Sequence, residues 1–214
     1  MSINVWSKVA VGVQSALAAP VTITAITRAN PAVATATAHG YADGALLLLK
    51  VVGMTQLNFA IVRVASTAAN TFELEGIDST TFDAFTSGTA ELITFGNNAT
   101  TFQDVTGSGG ESAGIPVTTI HSDQEFEIPG NRSPINYSFG SLWLPGDPAL
   151  LALRAFDDLK TPCCIRLRFS TGAVVLMVAF PSCPLIPIGS AGQPVTTPVS
   201  LRLAGRLTTY PTSV

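Results

Sequence analysis

The sequence predicts a mainly β protein carrying a single helix, and three observations lead there. Apolar and polar residues alternate in short runs along most of the chain. Clusters of Gly, Asn, Asp and Pro bound those runs, as they bound strands. Only the stretch 147–160 places apolar residues at helical spacing.

Taken in order, residues 3–14 read as a first strand, ended by Leu17, Ala18, Ala19 and Pro20. Lys8 and the apolar residues around it imitate a secretory leader, but Gln14 and Ser15 interrupt the apolar region. Residues 21–94 form a self-contained small all-β module, a barrel or sandwich. Its strands are expected at 21–28, 33–38, 46–52, 59–65, 71–74, 80–85 and 88–93. A strand at 100–105 follows, then a long flexible loop through Thr106, Gly107, Gly109, Gly110 and Glu111 to Gly114. Residues 116–121 and 124–128 suit a hairpin, and 136–144 a strand leading to the helix.

The helix has a clear start. Asp147 is a good N-cap, and Pro148 suits the first helical position, where the amide it lacks would be unbonded anyway. Ala149, Ala152, Leu153, Phe156 and Leu159 gather on one face, and Pro162 ends the helix. One amphipathic helix among strands is expected to cover an open side of a sheet. Beyond it, 164–170 and 173–180 make a tight hairpin at Thr171 and Gly172. The second of these strands is apolar on both faces, as expected of a strand between two layers. A Pro/Gly loop at 181–194 and a closing strand at 199–208 complete the chain.

Composition points to a surface that is hidden. The 214 residues are 47% hydrophobic and 12% charged, about half the usual charged fraction. Mean hydropathy is +0.41, yet no run approaches the roughly 18 to 20 apolar residues of a membrane span, so membrane insertion is not expected. A subunit that buries surface against copies of itself fits these values; an aggregating monomer or a membrane barrel is the alternative. Charge is also segregated. Residues 64–131 contain no Lys or Arg and ten acidic residues, whereas 132–214 carry seven basic residues against three acidic ones. Complementary patches meeting between copies would use Arg166, Arg168, Arg202 and Arg206 against Asp123, Glu125 and Glu127. Ordinary solvated faces are the other reading of the same pattern.

Catalytic chemistry has little to work with. His39 precedes a turn glycine and His121 ends a strand, so both read as structural or surface residues. The Gly107 and Gly189 stretches lack the following helix that a phosphate loop or nucleophile elbow requires. Cys163, Cys164 and Cys183 are an odd number without ligand spacing, and adjacent Cys163 and Cys164 point to opposite sides of a strand. Reduced thiols suit assembly in a cytoplasm. No catalytic, cofactor-binding or metal-ligating residue is assigned, and sequence-reading nucleic-acid binding is not expected.

Several segments together resemble a known family. They are the loop Asp104 to Glu111, the strand Ile115 to Ile120, the run Ile128-Pro129-Gly130-Asn131-Arg132-Ser133 and the strand ending Leu142-Trp143-Leu144. Gly146-Asp147-Pro148, the two-strand hairpin after the helix and the closing Pro198 to Thr208 complete the set. The chain resembles the major tail tube proteins of long-tailed, non-contractile bacteriophages over residues 1–20 and 95–214. The block 21–94 resembles small β-modules inserted in phage tail proteins, with Asn30-Pro31, His39-Gly40, Val52-Gly53-Met54 and Gly76-Ile77-Asp78 as markers.

The resemblance implies two packed antiparallel sheets, a sandwich or barrel, with one flanking α-helix and an inserted β-module. It implies a structural subunit, not an enzyme, that assembles as hexameric rings stacked into a hollow tube, the conduit for DNA ejection. Thr106, Gly107, Gly109, Gly110 and Glu111 would reach the next ring. The implied partners are further copies, a tape-measure protein, a tail terminator and tail-tip proteins, with DNA passing transiently. The implied location is the virion tail tube, assembled in the host cytoplasm. The second functional reading is an adhesin-like β-sandwich that recognises a cell surface through residues 21–94.

Overall fold

The structure, a computed structural model, describes residues 4–121 and 123–212. It is mainly β with one helix. The strands are β1 (Ala10–Leu17), β2 (Val21–Ile23), β3 (Ala25–Ile26), β4 (Ala32–Thr35), β5 (Leu46–Val52), β6 (Ala60–Ala65), β7 (Thr71–Leu74) and β8 (Ser87–Ala99). They continue as β9 (Phe102–Ser108), β10 (Ser112–Pro116), β11 (Glu127–Arg132) and β12 (Asn136–Leu142). After α1 (Pro148–Leu159) come β13 (Cys163–Arg168), β14 (Val174–Ser182), β15 (Thr196–Leu203) and β16 (Thr208–Tyr210).

Fourteen of these strands share one hydrogen-bonded antiparallel path, β3-β4-β7-β6-β5-β8-β1-β13-β14-β15-β12-β9, with β2 beside β8 and β16 beside β14. The path doubles back on itself at β8 and β1, so that two layers face each other. Between them lie Leu48, Ile61 and Ile93 from the first half and Cys164, Leu176, Val178 and Tyr210 from the second. Each layer has a further core on its other side. The curl of β2 to β8 encloses Phe72, Leu47, Leu49, Met54 and Val62. The far side of β13 to β15 packs Ile165, Leu167, Met177 and Val199 against Leu150 and Leu153 of the helix. The expected two packed sheets with a flanking helix are therefore present. The curl is not a closed barrel, because the ladder that would join β8 to β4 breaks at Thr24, between β2 and β3.

Strand β14 shows what a strand between two layers requires. Leu176 and Val178 enter the core between the layers, while Met177 and Ala179 enter the helix-side core. Cys163 and Cys164 split in the same way, as period-2 alternation demands. Both are free thiols. Burial raises the Cys163 thiol to about 12 and pushes Cys164 up as well.

The helix begins where expected. Oδ1 of Asp147 accepts from the amides of Ala149 and Leu150 at 2.9 and 3.1 Å, and Oδ2 accepts from the amide and hydroxyl of Thr100 at 3.3 and 3.1 Å. Its apolar face differs from the expected one: Ala149, Leu150 and Leu153 are buried, Phe156 is half-buried, and Leu159 is 71% exposed. Lys160 ends the helix in a left-handed conformation, turning the chain before Leu159 can reach the sheet.

Other elements depart from expectation for identifiable reasons. The first strand starts later, at Ala10, and residues 1–3 lie outside the described ones. The strand expected at 21–28 is two pieces, and that at 33–38 shortens to Ala32–Thr35. Residues 80–85 form no strand: Asp78 captures the amide and hydroxyl of Thr80 in a turn, and Phe82 and Phe85 pack onto the module core instead. The strand expected to stop at 93 continues to Ala99, because Phe95, Asn97, Asn98 and Ala99 pair with β1. The closing strand breaks at Gly205, where the backbone passes so close to the Phe59 carbonyl that no side chain fits.

Strand β8 therefore runs across residues 94 and 95. Its first half pairs with β2 and β5, and its second half with β1. A second tie lies at Arg63 of β6. Its guanidinium forms a two-pronged pair with Glu75, donates to the Thr212 carbonyl at 2.6 Å and lies 4.3 Å from the centre of the Tyr210 ring. The Arg63 amide donates to the Tyr210 hydroxyl at 2.8 Å.

Candidate functional site

Strands β9 and β12 end the sheet path, and the chain continues beyond them as a ribbon. β9 pairs with β12 from Phe102 and Ser141 outward to Ser108 and Asn136. The Gly110 amide then donates to the Ser133 carbonyl, and the Ser133 amide to the Glu111 carbonyl. β10 and β11 carry the pairing on to Pro116 and Glu127, and the Val117 amide reaches the Phe126 carbonyl. Among the described residues, β10 and β11 pair only with each other. Every described residue from 111 to 129 is exposed. Two strands in water are at best marginally stable. This arm nonetheless shows apolar side chains to solvent: Ile115, Val117, Ile120, Phe126 and Ile128, with Ile120 97% exposed.

The glycine-rich stretch is therefore not the long free loop expected. Thr106 and Gly107 belong to β9, opposite Ser138 and Tyr137, which leaves a connection of three residues to β10. Gly109 and Gly110 take positive φ values of 88° and 85° there, and a side chain on Gly109 would collide with the Pro134 carbonyl. Glu111 is exposed at the base of the arm. Glycine is needed for the close approach of two backbones, and the pairing carries straight through it.

The acidic residues lie on this arm. Glu127 stands in β11 opposite Pro116, Asp123 in the bend at the tip, and Glu125 between them; all three are exposed. They do not share one strand, because the hairpin strands occupy 112–116 and 127–132 instead of the expected 116–121 and 124–128.

The basic residues lie elsewhere. Arg166 and Arg168 share the face of β13 that carries Cys164, towards the space between the layers. The Arg166 side chain crosses β1 above Gly12, and its guanidinium stacks 4.8 Å from the centre of the Phe95 ring. Burial, with the Arg168 charge second, lowers its pKa. Arg202 is exposed on β15, alternating with the buried Leu201. Arg206 sits beyond the break in the closing strand, not on the same strand face, with its guanidinium 6.0 Å from the Phe82 ring centre. Among the described residues, the ion pairs are Lys50–Glu91, Arg63–Glu75, Arg154–Asp158 and Lys160–Asp157. None joins the four arginines to the arm carboxylates.

Both histidines are accounted for locally. The His39 Nε2 faces the Ala68 carbonyl at 2.9 Å and Nδ1 accepts from the Tyr41 amide, while His121 is exposed near the arm tip. Among the described residues, no three His, Cys, Asp or Glu side chains converge to hold a metal ion, and no helix is long and apolar enough to cross a membrane. The exposed apolar arm and the Arg63 tie were both missed by sequence reasoning. The arm was signalled by Ile115, Val117, Phe126 and Ile128 at alternate positions in a segment that is otherwise polar. Arg63 carried no signal, being a single charge in an apolar strand.

A comparison with curated proteins finds no match. A family comparison matches residues 52–212 to the family described as phage tail tube protein, TTP. The matched range takes in β6 to β8 of the module as well as everything from β9 to β16. An exposed pairing arm, a covered two-layer sheet and a match over most of the length together place this chain in the phage tail tube protein family, as a structural component of the virion tail.

Proposed function

We propose that this chain is the major tube subunit of a long, non-contractile siphophage tail. Copies close into hexameric rings, and the rings stack into a hollow tube through which DNA is ejected into the host. The observation that carries the reading is the β10–β11 arm, which exposes apolar residues on both strands and pairs with no other strand among the described residues. A surface of that kind costs free energy until a partner covers it. The free edge of β9 offers a second surface, a row of backbone groups suited to pairing with a neighbouring copy.

In this reading the base of the arm, Thr106 to Glu111, directs it towards the next ring, and Asp123, Glu125 and Glu127 meet arginines of adjacent copies. The tube wall is the division 1–20 and 95–214, with 21–94 inserted. The separate cores of the two parts support that division, and the shared strand β8 makes the module part of the wall's body. A tape-measure protein in the lumen and terminator and tip proteins at the ends would complete the tail, assembled in the host cytoplasm. DNA must slide past the lumen without being gripped, so the lumen should be neutral or acidic, with the arginines engaged elsewhere.

Electron microscopy of the purified chain tests the proposal. Hollow tubes or stacked rings with sixfold symmetry are expected. A variant with residues 113–131 replaced by a short glycine turn should fold and remain unassembled. Wild-type chain that stays monomeric at high concentration, or an arm-deleted variant that forms normal tubes, would overturn it.

A further inference from the structure

Resting on that reading of self-assembly, we infer that the mouth between the two layers is a receptor for side-chain carboxylates of a second copy, delivered by its acidic β10–β11 arm. The mouth is a cavity of about 100 Å³ lined by Gly44, Leu46 and Arg63 from the module layer and Arg166, Arg168, Val174 and Tyr210 from the other. Three arginines thus border one small space. Glu75 neutralises Arg63, whereas Arg166 and Arg168 have no acidic partner among the described residues.

The geometry favours a carboxylate arriving from outside. Arg166 and Arg168 stand two residues apart on one strand, so their side chains leave the same face. Arg166 is held over Gly12 and against Phe95, which fixes one guanidinium before anything binds. Its partial burial and the neighbouring Arg168 charge both disfavour the charged form, and the opposite charge of an incoming carboxylate would favour it. Arg63 is pinned by Glu75 and the Thr212 carbonyl and walls the opposite side. A guanidinium fork matches a carboxylate with two parallel hydrogen bonds, which sets orientation as well as affinity.

The occupant is chosen by charge. Asp123, Glu125 and Glu127 are exposed, closely spaced and without an ion-pair partner among the described residues, on a hairpin that pairs only with itself among those residues. Arg202 and Arg206 lie outside this mouth. The receptor takes in Arg166 and Arg168 and leaves out Arg202 and Arg206. It also gives the module a task, because the second wall of the receptor comes from β6.

The test uses the full-length chain kept unassembled at low concentration and a synthetic peptide spanning residues 112–132. Backbone amide signals of residues 44–46 and 166–168 should shift saturably in NMR as peptide is added. A peptide with Asp123→Asn, Glu125→Gln and Glu127→Gln should bind about tenfold more weakly or worse, as should the wild-type peptide to an Arg166→Gln, Arg168→Gln chain. An Arg202→Gln chain should bind the peptide normally and serves as the folded control. Equal binding of the neutral peptide, or shifts confined to residues elsewhere, would overturn the inference. So would sodium sulfate producing the same shifts at the same concentration as the peptide, which would mark a general anion site. Microscopy of tubes is scored separately: peptide binding without tubes would sink the assembly reading and leave the receptor standing, and tubes without peptide binding would do the reverse.

Discussion

Asp147→Ala offers the most direct probe of how the helix is attached. The carboxylate is buried and holds two structures together, the first turn of α1 through Oδ1 and the Thr100 turn between β8 and β9 through Oδ2. Losing an N-cap costs about 1 kcal/mol, and up to about 2. Losing the Thr100 bridge adds about 0.5 to 1.5 kcal/mol, because Thr100 is exposed and water can replace the acceptor. Asp147→Ala should therefore destabilise the chain by roughly 1.5 to 3.5 kcal/mol. Asp147→Ser separates the two parts, because serine caps well but is too short to bridge to Thr100. It should recover about 1 kcal/mol of the loss. Urea unfolding followed by fluorescence suits the purpose. Trp143 lies four residues before the cap, its indole donating to the Leu185 carbonyl at 2.9 Å. A loss below about 0.5 kcal/mol for Asp147→Ala would show that the buried helix face alone holds α1 in place. Full recovery with serine would remove the Thr100 bridge from the argument.

Three further outcomes follow from the same structure. Leu153→Ala should cost about 2 to 5 kcal/mol in urea unfolding, and Leu159→Ala less than about 0.5, since the first side chain is buried and the second is 71% exposed. Cys163, Cys164 and Cys183 should resist a thiol reagent such as Ellman's in the folded chain at pH 8 and all react in denaturant; burial raises the Cys183 thiol to about 11 and the other two further. Asp157 has its pKa lowered by Lys160 and then by the Cys183 amide, so its contribution is present above its ordinary value of 3.8 and lost as pH falls through the lower folded value. The stability gap between wild type and Asp157→Asn should therefore be widest near neutral pH and shrink below about 3.8, measured by urea unfolding across pH 3 to 6.

Much of the fold was legible because local chemistry and tertiary packing agreed. Leu46–Val52 and Thr71–Leu74 emerge as strands with the expected ends, and the helix begins at the expected cap. Where the two disagreed, packing won. Gly96, Asn97 and Asn98 look like a turn, yet they extend β8, because β1 supplies a ladder that local sequence cannot announce. Thr80 to Phe85 has strand-like residues, but Asp78 offers a nearer acceptor than any neighbouring strand. The charge segregation was visible at once. Where it sits was not, because placing Arg166 beside Arg63 takes the fold-back of an entire sheet.

Strand β1 carries a consequence for the order of events during synthesis. It occupies the centre of the sheet, bound on one side to β8 and on the other to β13, so that Val11 aligns with Ala99 and with Leu167. A nascent chain emerging from the ribosome would hold this strand half-paired until almost four-fifths of the polypeptide had been made. Until β13 arrives, the layer that the helix covers has no floor. Fragments released early would lack the Arg166 and Arg168 face and the helix-side core together. The long-range pairing of β1 with β13 thus delays completion of the helix-side layer until late in synthesis.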